Sequence, residues 1–258
     1  MTKKPIKPAE RRHQDYLRRK GLKVGQVYMK RLISLRKQEV RRVLNICKDY
    51  DDRDTWRSVI MSNLDESGYY ESWMQGLYLT AGIPHAKSVT RDLSRSKAAD
   101  PPMAWESELA SYAAERAGSN IVIVSGTMKE ELVKVVQATL LEMPYDGIEK
   151  ITRSIASQYA DLLLWQCRRI AQTETMIGMA EAGRVAADTL DVGFTKQWAI
   201  SGLGNTRDSH IIMDGVTVDQ DEYFDLGDCK MLYPHDNSMN PPAAQIINCA
   251  CDVIRRPK

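Results

Sequence analysis

Apolar residues recur at helical spacing over most of the first 190 residues. The first clear stretch starts near Val24, and one face of a 3.6-residue repeat there carries Tyr28, Leu32, Leu35, Val43 and Ile46. The opposite face carries four cations, which we name the cationic ridge: Lys30, Lys37, Arg41 and Lys48. This pattern predicts an amphipathic helix with one basic side. Residues 1–22 are rich in Lys and Pro and lack apolar periodicity, which predicts a flexible basic tail.

Breaks in the pattern divide the next part of the chain. The charged run of residues 49–56 ends the first helix, and residues 56–82 predict a second helical stretch. Residues 88–105 contain two consecutive prolines, which cannot lie inside a helix, so this stretch predicts a linker. Another helix is expected over residues 106–117.

Two further helical signals follow. Thr127 and Glu130 have the spacing of a capping box, which predicts a helix that starts near Met128. A stripe of apolar residues from position 151 to position 177 then holds one helical face. This stripe predicts a long helix, or two helices joined near Trp165.

The spacing of apolar residues changes to two after Gly193. Phe194, Trp198 and Ile200 alternate with polar or small residues, as in a half-buried strand. The remainder is turn-rich, and residues 246–254 predict a last strand with both of its cysteines on one face. The predicted fold class is therefore α+β, with an elongated, mainly helical N-terminal body and a small, turn-rich, β-containing C-terminal domain.

The same boundaries predict four consecutive segments. They are a basic flexible tail over residues 1–22, a basic amphipathic helical region over 23–100, a helical body over 101–192 and a small β-rich domain over 193–258.

Charge is distributed unevenly along the chain. The first 48 residues hold 16 Lys or Arg and three acids, although the net charge of all 258 residues is only +2. Such a basic arm on an acidic body predicts contact with a polyanion or an acidic protein surface. The alternative is a solvated basic helix that packs on its own acidic body. No apolar run reaches the length of a membrane span and no signal-peptide core is visible, so we expect a soluble, cytosolic protein.

The chemistry-bearing residues are concentrated near the C-terminal end. The segment "TRDSHIIMDG" contains His210, Asp208 and Asp214, which are the residue types of a metal-dependent hydrolase or nuclease. Turn-forming and helix-capping roles explain the same two carboxylates without catalysis. Cys249 and Cys251 could share one zinc ion with His210 as the third ligand. The fourth ligand is left open among Cys229, His235 and Asp214. Buried reduced thiols without metal are the alternative.

Several other patterns narrow the chemistry. Five cysteines without a secretory leader make a disulfide framework unexpected. The sequence has no P-loop, dinucleotide fingerprint or HExxH motif. Glu174 falls on the apolar helical face, where a carboxylate requires a partner, and Arg207 is the predicted one. Exposure of Glu174 to solvent is the alternative.

A succession of short motifs resembles a known family. "RRIAQTET" with "GRVAA", "KQWAI", "TRDSH" with "DG", "YPHD" with "PP", and "INCACDVI" occur in this order. Together they resemble the head morphogenesis, or Mu protein F-like minor head protein, family of tailed bacteriophages, over roughly residues 105–255. The family's motif residues would be Arg169, Thr173, Glu174, Trp198, Arg207, Asp208, His210, Asp214, Gly215, Pro234, Asn248, Cys249 and Cys251. Family members often have Arg where this chain has Ala250.

The resemblance implies a minor structural protein of the phage head rather than an enzyme. It implies binding to the portal protein and a part in procapsid assembly, DNA packaging or genome ejection. The location would be the virion head near the portal vertex, and the host cytoplasm during assembly. The cationic ridge would then contact packaged double-stranded DNA or an acidic surface of the portal or scaffold. The major capsid protein is a further candidate partner, and no membrane partner is expected. No cofactor is required, and a structural zinc ion is the one candidate. The other hypotheses are the metal-dependent hydrolase or nuclease and a standalone nucleic-acid-binding protein.

Overall fold

The computed structural model describes residues 2–50, 52–64, 68–94, 105–190, 192–202 and 206–258. Helices dominate up to residue 188, and a small sheet region follows, which confirms the α+β class. The helices are α1 (Pro8–Cys47), α2 (Trp56–Asn63), α3 (Gly68–Ser94), α4 (Trp105–Glu142), α5 (Ile148–Asp188), α6 (Asp208–Met213) and α7 (Ala243–Ile246), with a 3-10 turn at Arg53–Thr55. The strands are β1 (Thr2–Lys3), β2 (Phe194–Ala199), β3 (Val216–Asp219), β4 (Phe224–Asp225), β5 (Lys230–Met231) and β6 (Asp252–Pro257).

The main sheet has the strand order β1-β3-β2-β6, and neighbouring strands are antiparallel. Strand β2 is central: Trp198 lies opposite Val253 of β6, and Gln197 lies opposite Thr217 of β3. Strands β4 and β5 form a separate two-stranded ribbon. One face of β2 is buried in a core cluster that also contains Phe224, Met231 and both cysteines of the CxC pair.

The N-terminal segment is part of this sheet, contrary to the predicted flexible tail. Strand β1 pairs with β3, and α1 already begins at Pro8. Arg256 of β6 donates to Glu10 at 2.8 and 2.7 Å. These long-range contacts order residues 2–22, although their own sequence lacks an apolar stripe.

Two compact units account for the packing, and they interleave along the chain instead of following the four predicted segments. Unit 1 contains residues 1–26, 75–113 and 171–258, and unit 2 contains residues 27–74 and 114–170.

Small residues allow close helix packing within unit 1. A Cβ added at Gly178 of α5 would lie 2.9 Å from the Tyr78 ring of α3. A Cβ added at Gly82 of α3 would lie 2.8 Å from the Cβ of Ala182 of α5. Tyr78 therefore lies directly against α5, beside Glu174.

Unit 2 contains a buried polar network and most of the cationic ridge. Arg36 pairs with Glu39 at 2.9 Å, and the Tyr70 hydroxyl donates to the same carboxylate. On the opposite side of α1, Lys30, Lys37 and Arg41 are exposed. The remaining ridge residue, Lys48, is half-buried and pairs with Glu149 at 2.8 Å.

Several predicted helix boundaries differ from the structure. Helix α4 continues through the capping-box position Thr127, because a three-residue signal does not interrupt a long, partly buried helix. Helix α3 extends to Ser94 into the predicted linker, and the two prolines lie outside the described residues. The stripe at residues 151–177 belongs to one helix, α5, without a joint at Trp165.

Candidate metal centre

Three potential metal ligands meet in the core of the C-terminal module. His210 lies on α6, and Cys249 and Cys251 lie in the loop between α7 and β6. All three side chains are buried. The loop turns at Asn248, whose φ of 58° is a left-handed conformation that Asn tolerates better than most residues. The backbone N–H of Asn248 donates to Thr173 Oγ1 of α5 at 3.1 Å, so the loop is fixed to the helix.

The position of the cysteines corrects one prediction. Strand β6 begins only at Asp252, so the cysteines precede the strand and do not share one of its faces. Residues 243–246 form the short helix α7 instead. Both sulfurs nevertheless face His210, because the loop curves around the imidazole.

The distances within this cluster fit a tetrahedral zinc site. His210 Nδ1 lies 3.6 Å from Cys249 Sγ and 3.4 Å from Cys251 Sγ. Typical Zn–S and Zn–N bond lengths at a tetrahedral angle place sulfur and nitrogen about 3.6 Å apart. The three ligand atoms lie within 4.8 Å of one another. The cluster could therefore hold a metal ion.

Hydrogen bonds select the tautomer of His210 that a metal requires. His210 Nε2 lies 2.9 Å from Gln245 Oε1, and Gln245 Nε2 donates to both carboxylate oxygens of Asp228 at 3.0 and 2.8 Å. The amide nitrogen of Gln245 is thus turned to Asp228 and its oxygen to the imidazole. The proton of the neutral ring is placed on Nε2, and Nδ1 keeps its lone pair for the cluster. Outer contacts of this kind orient the histidine ligands of metal sites.

The two thiols share their protons unequally. A hydrogen bond from Cys251 lowers the pKa of Cys249 well below its usual range, against the effect of burial. The same hydrogen bond, with burial, raises the pKa of Cys251. The backbone N–H of Cys251 also donates to Cys249 Sγ at 3.4 Å. The surroundings therefore favour ionisation of Cys249 before Cys251, and a bound cation would favour ionisation of both thiols.

Aromatic residues surround the cluster. The Trp198 ring meets the His210 imidazole edge-on, with 5.3 Å between centroids, and meets Phe224 in the same way at 5.1 Å. Trp198 is fully buried. The indole N–H has no hydrogen-bond partner among the described residues, and it lies near Cys251, where it acts to lower the pKa of that thiol against larger opposite effects.

The carboxylates of the hydrolase hypothesis lie elsewhere. Asp214 accepts from Arg11 at 2.7 Å and from the Ile200 N–H at 3.1 Å, so it connects α1 to the end of β2. Asp208 is exposed in the first turn of α6. Among the described residues, neither carboxylate belongs to the metal-binding group. Cys229 is half-buried beside Asp228, and burial raises its pKa to about 11.

We predict that Asp214→Ala destabilises the fold and leaves metal binding unchanged. The substitution removes the carboxylate that accepts from Arg11 and from the Ile200 N–H, and the loss of both hydrogen bonds costs roughly 1–3 kcal/mol. Urea denaturation checks the stability and native mass spectrometry checks the metal content. Asp219→Ala, at an exposed carboxylate that pairs with Lys258, is the matched control and should have little effect. Loss of the metal in Asp214→Ala would show that Asp214 is a ligand.

Comparisons with known proteins do not identify the chain. No protein-family model, curated protein or solved structure matches it. The resemblance to the head morphogenesis family therefore depends on the motif residues alone. Within the described part of the chain, no helix combines the length and apolar character needed to cross a membrane.

The predicted pairing of Glu174 with Arg207 is wrong. Glu174 is buried, as the apolar stripe indicated, but it accepts a hydrogen bond from the Tyr78 hydroxyl. Arg207 instead donates to the backbone carbonyl of Ile247, next to the cysteine loop. Tyr78 reaches Glu174 because Gly178 allows α3 to approach α5 closely.

Gly215 has a backbone role. Its φ is 81°, and an added Cβ would lie 2.5 Å from the carbonyl oxygen of Lys4. The Gly215 N–H donates to Trp198 O, and its carbonyl accepts from the Lys4 N–H. The Asp-Gly pair thus lets the N-terminal segment approach the sheet.

Other motif residues lie outside the cluster. The Arg169 guanidinium lies over the Trp165 ring at 4.3 Å, in unit 2. Pro234 directly precedes the buried His235.

Sequence reasoning missed several residues that support the site. Gln245 and Asp228 orient His210, and no sequence motif distinguishes them from ordinary polar loop residues. Glu181 of α5 accepts from the Tyr233 hydroxyl at 2.6 Å, which fixes the loop after β5. Lys196 is buried and donates to the carbonyls of Glu222 and Leu232, and burial lowers its pKa to about 8. The one signal that the sequence offered for Lys196 was its position between Phe194 and Trp198. The strand that contains it is buried on both faces.

Proposed function

We propose that the chain is a non-enzymatic minor structural protein of a tailed-phage head. It binds the portal protein and assists procapsid assembly, DNA packaging or genome ejection, near the portal vertex of the virion. It is assembled in the host cytoplasm.

The convergence of the family-like motif residues supports this proposal. Thr173 binds the backbone of the cysteine loop, Trp198 packs on His210, and His210 faces both cysteines. Asp214 and Gly215 attach the N-terminal segment to the same sheet. Residues that are far apart in the sequence thus support one module, which is what a structural motif requires.

We further propose that the ion held by His210, Cys249 and Cys251 is a structural zinc. Nitrogen and sulfur ligands suit zinc, and small turn-rich modules often depend on such an ion for stability. The surrounding aromatic residues and the absence of a carboxylate from the described ligand group favour structural support over hydrolysis. The hydrolase hypothesis requires Asp208 and Asp214 beside the ion, and Asp214 is bound to Arg11.

The cationic ridge supplies the surface for an acidic partner. Lys30, Lys37 and Arg41 lie at spacings of seven and four residues and are exposed on α1. This arrangement suits phosphates or an acidic portal surface, without recognition of sequence. Because α1 is an integral helix with buried residues such as Leu17 and Val43, the ridge cannot be removed as a separate arm.

Portal binding is tested by co-purification. The portal protein encoded in the same genome is tagged and co-expressed with the full chain, and we expect the chain to elute with the portal ring in size-exclusion chromatography. Native mass spectrometry of that peak gives the stoichiometry. Absence of a complex, with both proteins folded, would contradict the proposed function.

Charge reversal distinguishes the two proposed partners of the cationic ridge, which are DNA and the portal protein. In the test variant Lys30, Lys37 and Arg41 are changed to Glu, and in the control variant the exposed Lys87, Lys134 and Lys230 are changed to Glu. If the ridge contacts DNA, the slope of log affinity against log salt falls by about 3 for random duplex DNA. If it contacts the portal, co-purification weakens instead. DNA binding without any portal complex would indicate a standalone nucleic-acid-binding protein.

A further inference from the structure

His235 is a buried histidine with unmatched ring nitrogens. The residue is 4% exposed, and neither ring nitrogen has a hydrogen-bond partner among the described residues. A buried imidazole must have at least one of its nitrogens protonated, so an unmatched polar group remains whichever tautomer forms. Such unmatched groups are rare in native proteins and call for an explanation such as a bound ion.

The backbone of His235 is also held in an unfavourable conformation. Its φ is 73°, in the left-handed region that residues with a Cβ seldom adopt. Neighbouring contacts hold it there: Asp236 accepts from the Leu232 N–H at 2.7 Å and from the Ser238 N–H at 2.9 Å. The loop is therefore built to turn the imidazole inward.

This side chain lies beside the candidate metal centre. The His235 ring is near enough to Cys249 to lower the pKa of that thiol, but its nitrogens lie outside the group of three ligand atoms that are within 4.8 Å of one another. The other two candidates for the fourth position are engaged differently: Asp214 binds Arg11, and Cys229 lies beside Asp228. His235 is the candidate that is buried, has ring nitrogens with no hydrogen-bond partner among the described residues, and lies beside Cys249.

We propose that His235 is the fourth protein ligand of a closed zinc site of the Cys2His2 type, with His210, Cys249 and Cys251. This inference rests on the structural zinc proposed above and is independent of portal binding. The other three ligand atoms already lie within 4.8 Å of one another and His235 lies outside that group, so its imidazole would turn toward a bound ion to complete the tetrahedron.

A fourth protein ligand has a consequence for function. Catalytic zinc sites keep one position for water or substrate, whereas structural sites use four protein ligands. Coordination by His235 would fill the position that a hydrolytic water needs. The ion would then stabilise the loops at residues 232–238 and 248–251 against α6.

The test uses cobalt(II) and zinc(II) binding to the full chain. Cobalt(II) reports the number of thiolates and the tetrahedral geometry by its absorption, and competition with zinc gives affinities. We expect His235→Ala to weaken zinc binding by on the order of 100-fold or more, since loss of even an outer-shell partner costs 10–100-fold. The controls Cys229→Ser and Asp214→Asn should bind zinc as tightly as the unmodified chain.

A second variant is expected to gain an absorption signal, so this test does not depend on a loss of metal binding. His235→Cys should retain tetrahedral cobalt binding and increase the sulfur-to-cobalt charge-transfer absorption, because a third thiolate joins the ion. Circular dichroism confirms that each variant is folded, and His235→Cys provides the test if His235→Ala does not fold.

The other outcomes overturn the proposal in distinguishable ways. Tight binding in His235→Ala with weak binding in Cys229→Ser or Asp214→Asn would assign the fourth position to that residue. Tight binding in all three variants would assign it to water. Failure of the unmodified chain to bind either ion would refute the zinc site itself, and portal co-purification would remain a separate question.

Discussion

Chelation of the zinc-loaded chain is expected to lower its melting temperature by roughly 10 °C. With free zinc at about 1,000 times the dissociation constant, binding stabilises the folded state by roughly 4 kcal/mol, and 1 kcal/mol corresponds to about 2–4 °C in a chain of this size class. The ion would connect α6 to the loop before β6, in a module whose other connections are short strands and turns. Calorimetry of the same sample before and after a strong chelator measures the change.

Two variants make this expectation specific. Cys251→Ser removes a ligand, so this variant should melt at the lower temperature and be insensitive to the chelator. Cys167→Ala removes a buried thiol of α5 in unit 2 and should keep the full response to chelation. An unmodified chain that binds no zinc and melts identically with and without chelator would contradict both the metal and its stabilising role.

The candidate metal-binding cluster could be predicted from the sequence, but its surroundings could not. A CxC pair and a histidine in turn-rich sequence are informative because soft ligands are few, so His210, Cys249 and Cys251 were identified together. The fixed tautomer of His210 depends on Gln245 and Asp228, which are positioned by tertiary structure alone. The left-handed backbone of His235 is likewise invisible in the sequence.

Helical periodicity was a reliable signal where a face is fully buried. Ile151, Ile155, Tyr159 and Leu163 are all buried on α5, as the stripe indicated. The signal was absent for residues 8–22, which pack through single buried residues such as Leu17 and through a close approach at Gly21. A Cβ added at Gly21 would clash with Met179 Sδ. A sequence pattern based on large apolar residues cannot detect contacts of this kind.

The burial of Glu174 could be predicted from the sequence, but its hydrogen-bond partner could not. Its place in the apolar stripe correctly indicated a buried carboxylate that needs a partner. The choice between Arg207 and Tyr78 depends on how closely two helices approach, and glycine at position 178 determines that distance. Local patterns therefore identified the requirement, while the tertiary structure determined the residue that meets it.

Trp198→Ala should destabilise the chain by about 3–5 kcal/mol, which is the usual cost of removing a fully buried large aromatic side chain. The indole fills the space between His210 and Phe224, so its loss also leaves the imidazole free to rotate away from the cysteines. We therefore expect weaker zinc binding as well as a lower urea midpoint. Trp198→Phe is the matched control: it keeps an aromatic ring but removes the N–H group near Cys251.

The two variants separate packing from electrostatics at the metal centre. If the indole acts mainly by packing, Trp198→Phe recovers most of the stability and most of the zinc affinity. If its N–H group matters for the Cys251 thiolate, Trp198→Phe recovers stability but binds zinc more weakly, with the difference greatest at low pH, where protons compete with the ion for sulfur. Trp198→Ala with unchanged zinc affinity would show that His210 is held by Gln245 alone, and the core and the metal site would then be independent.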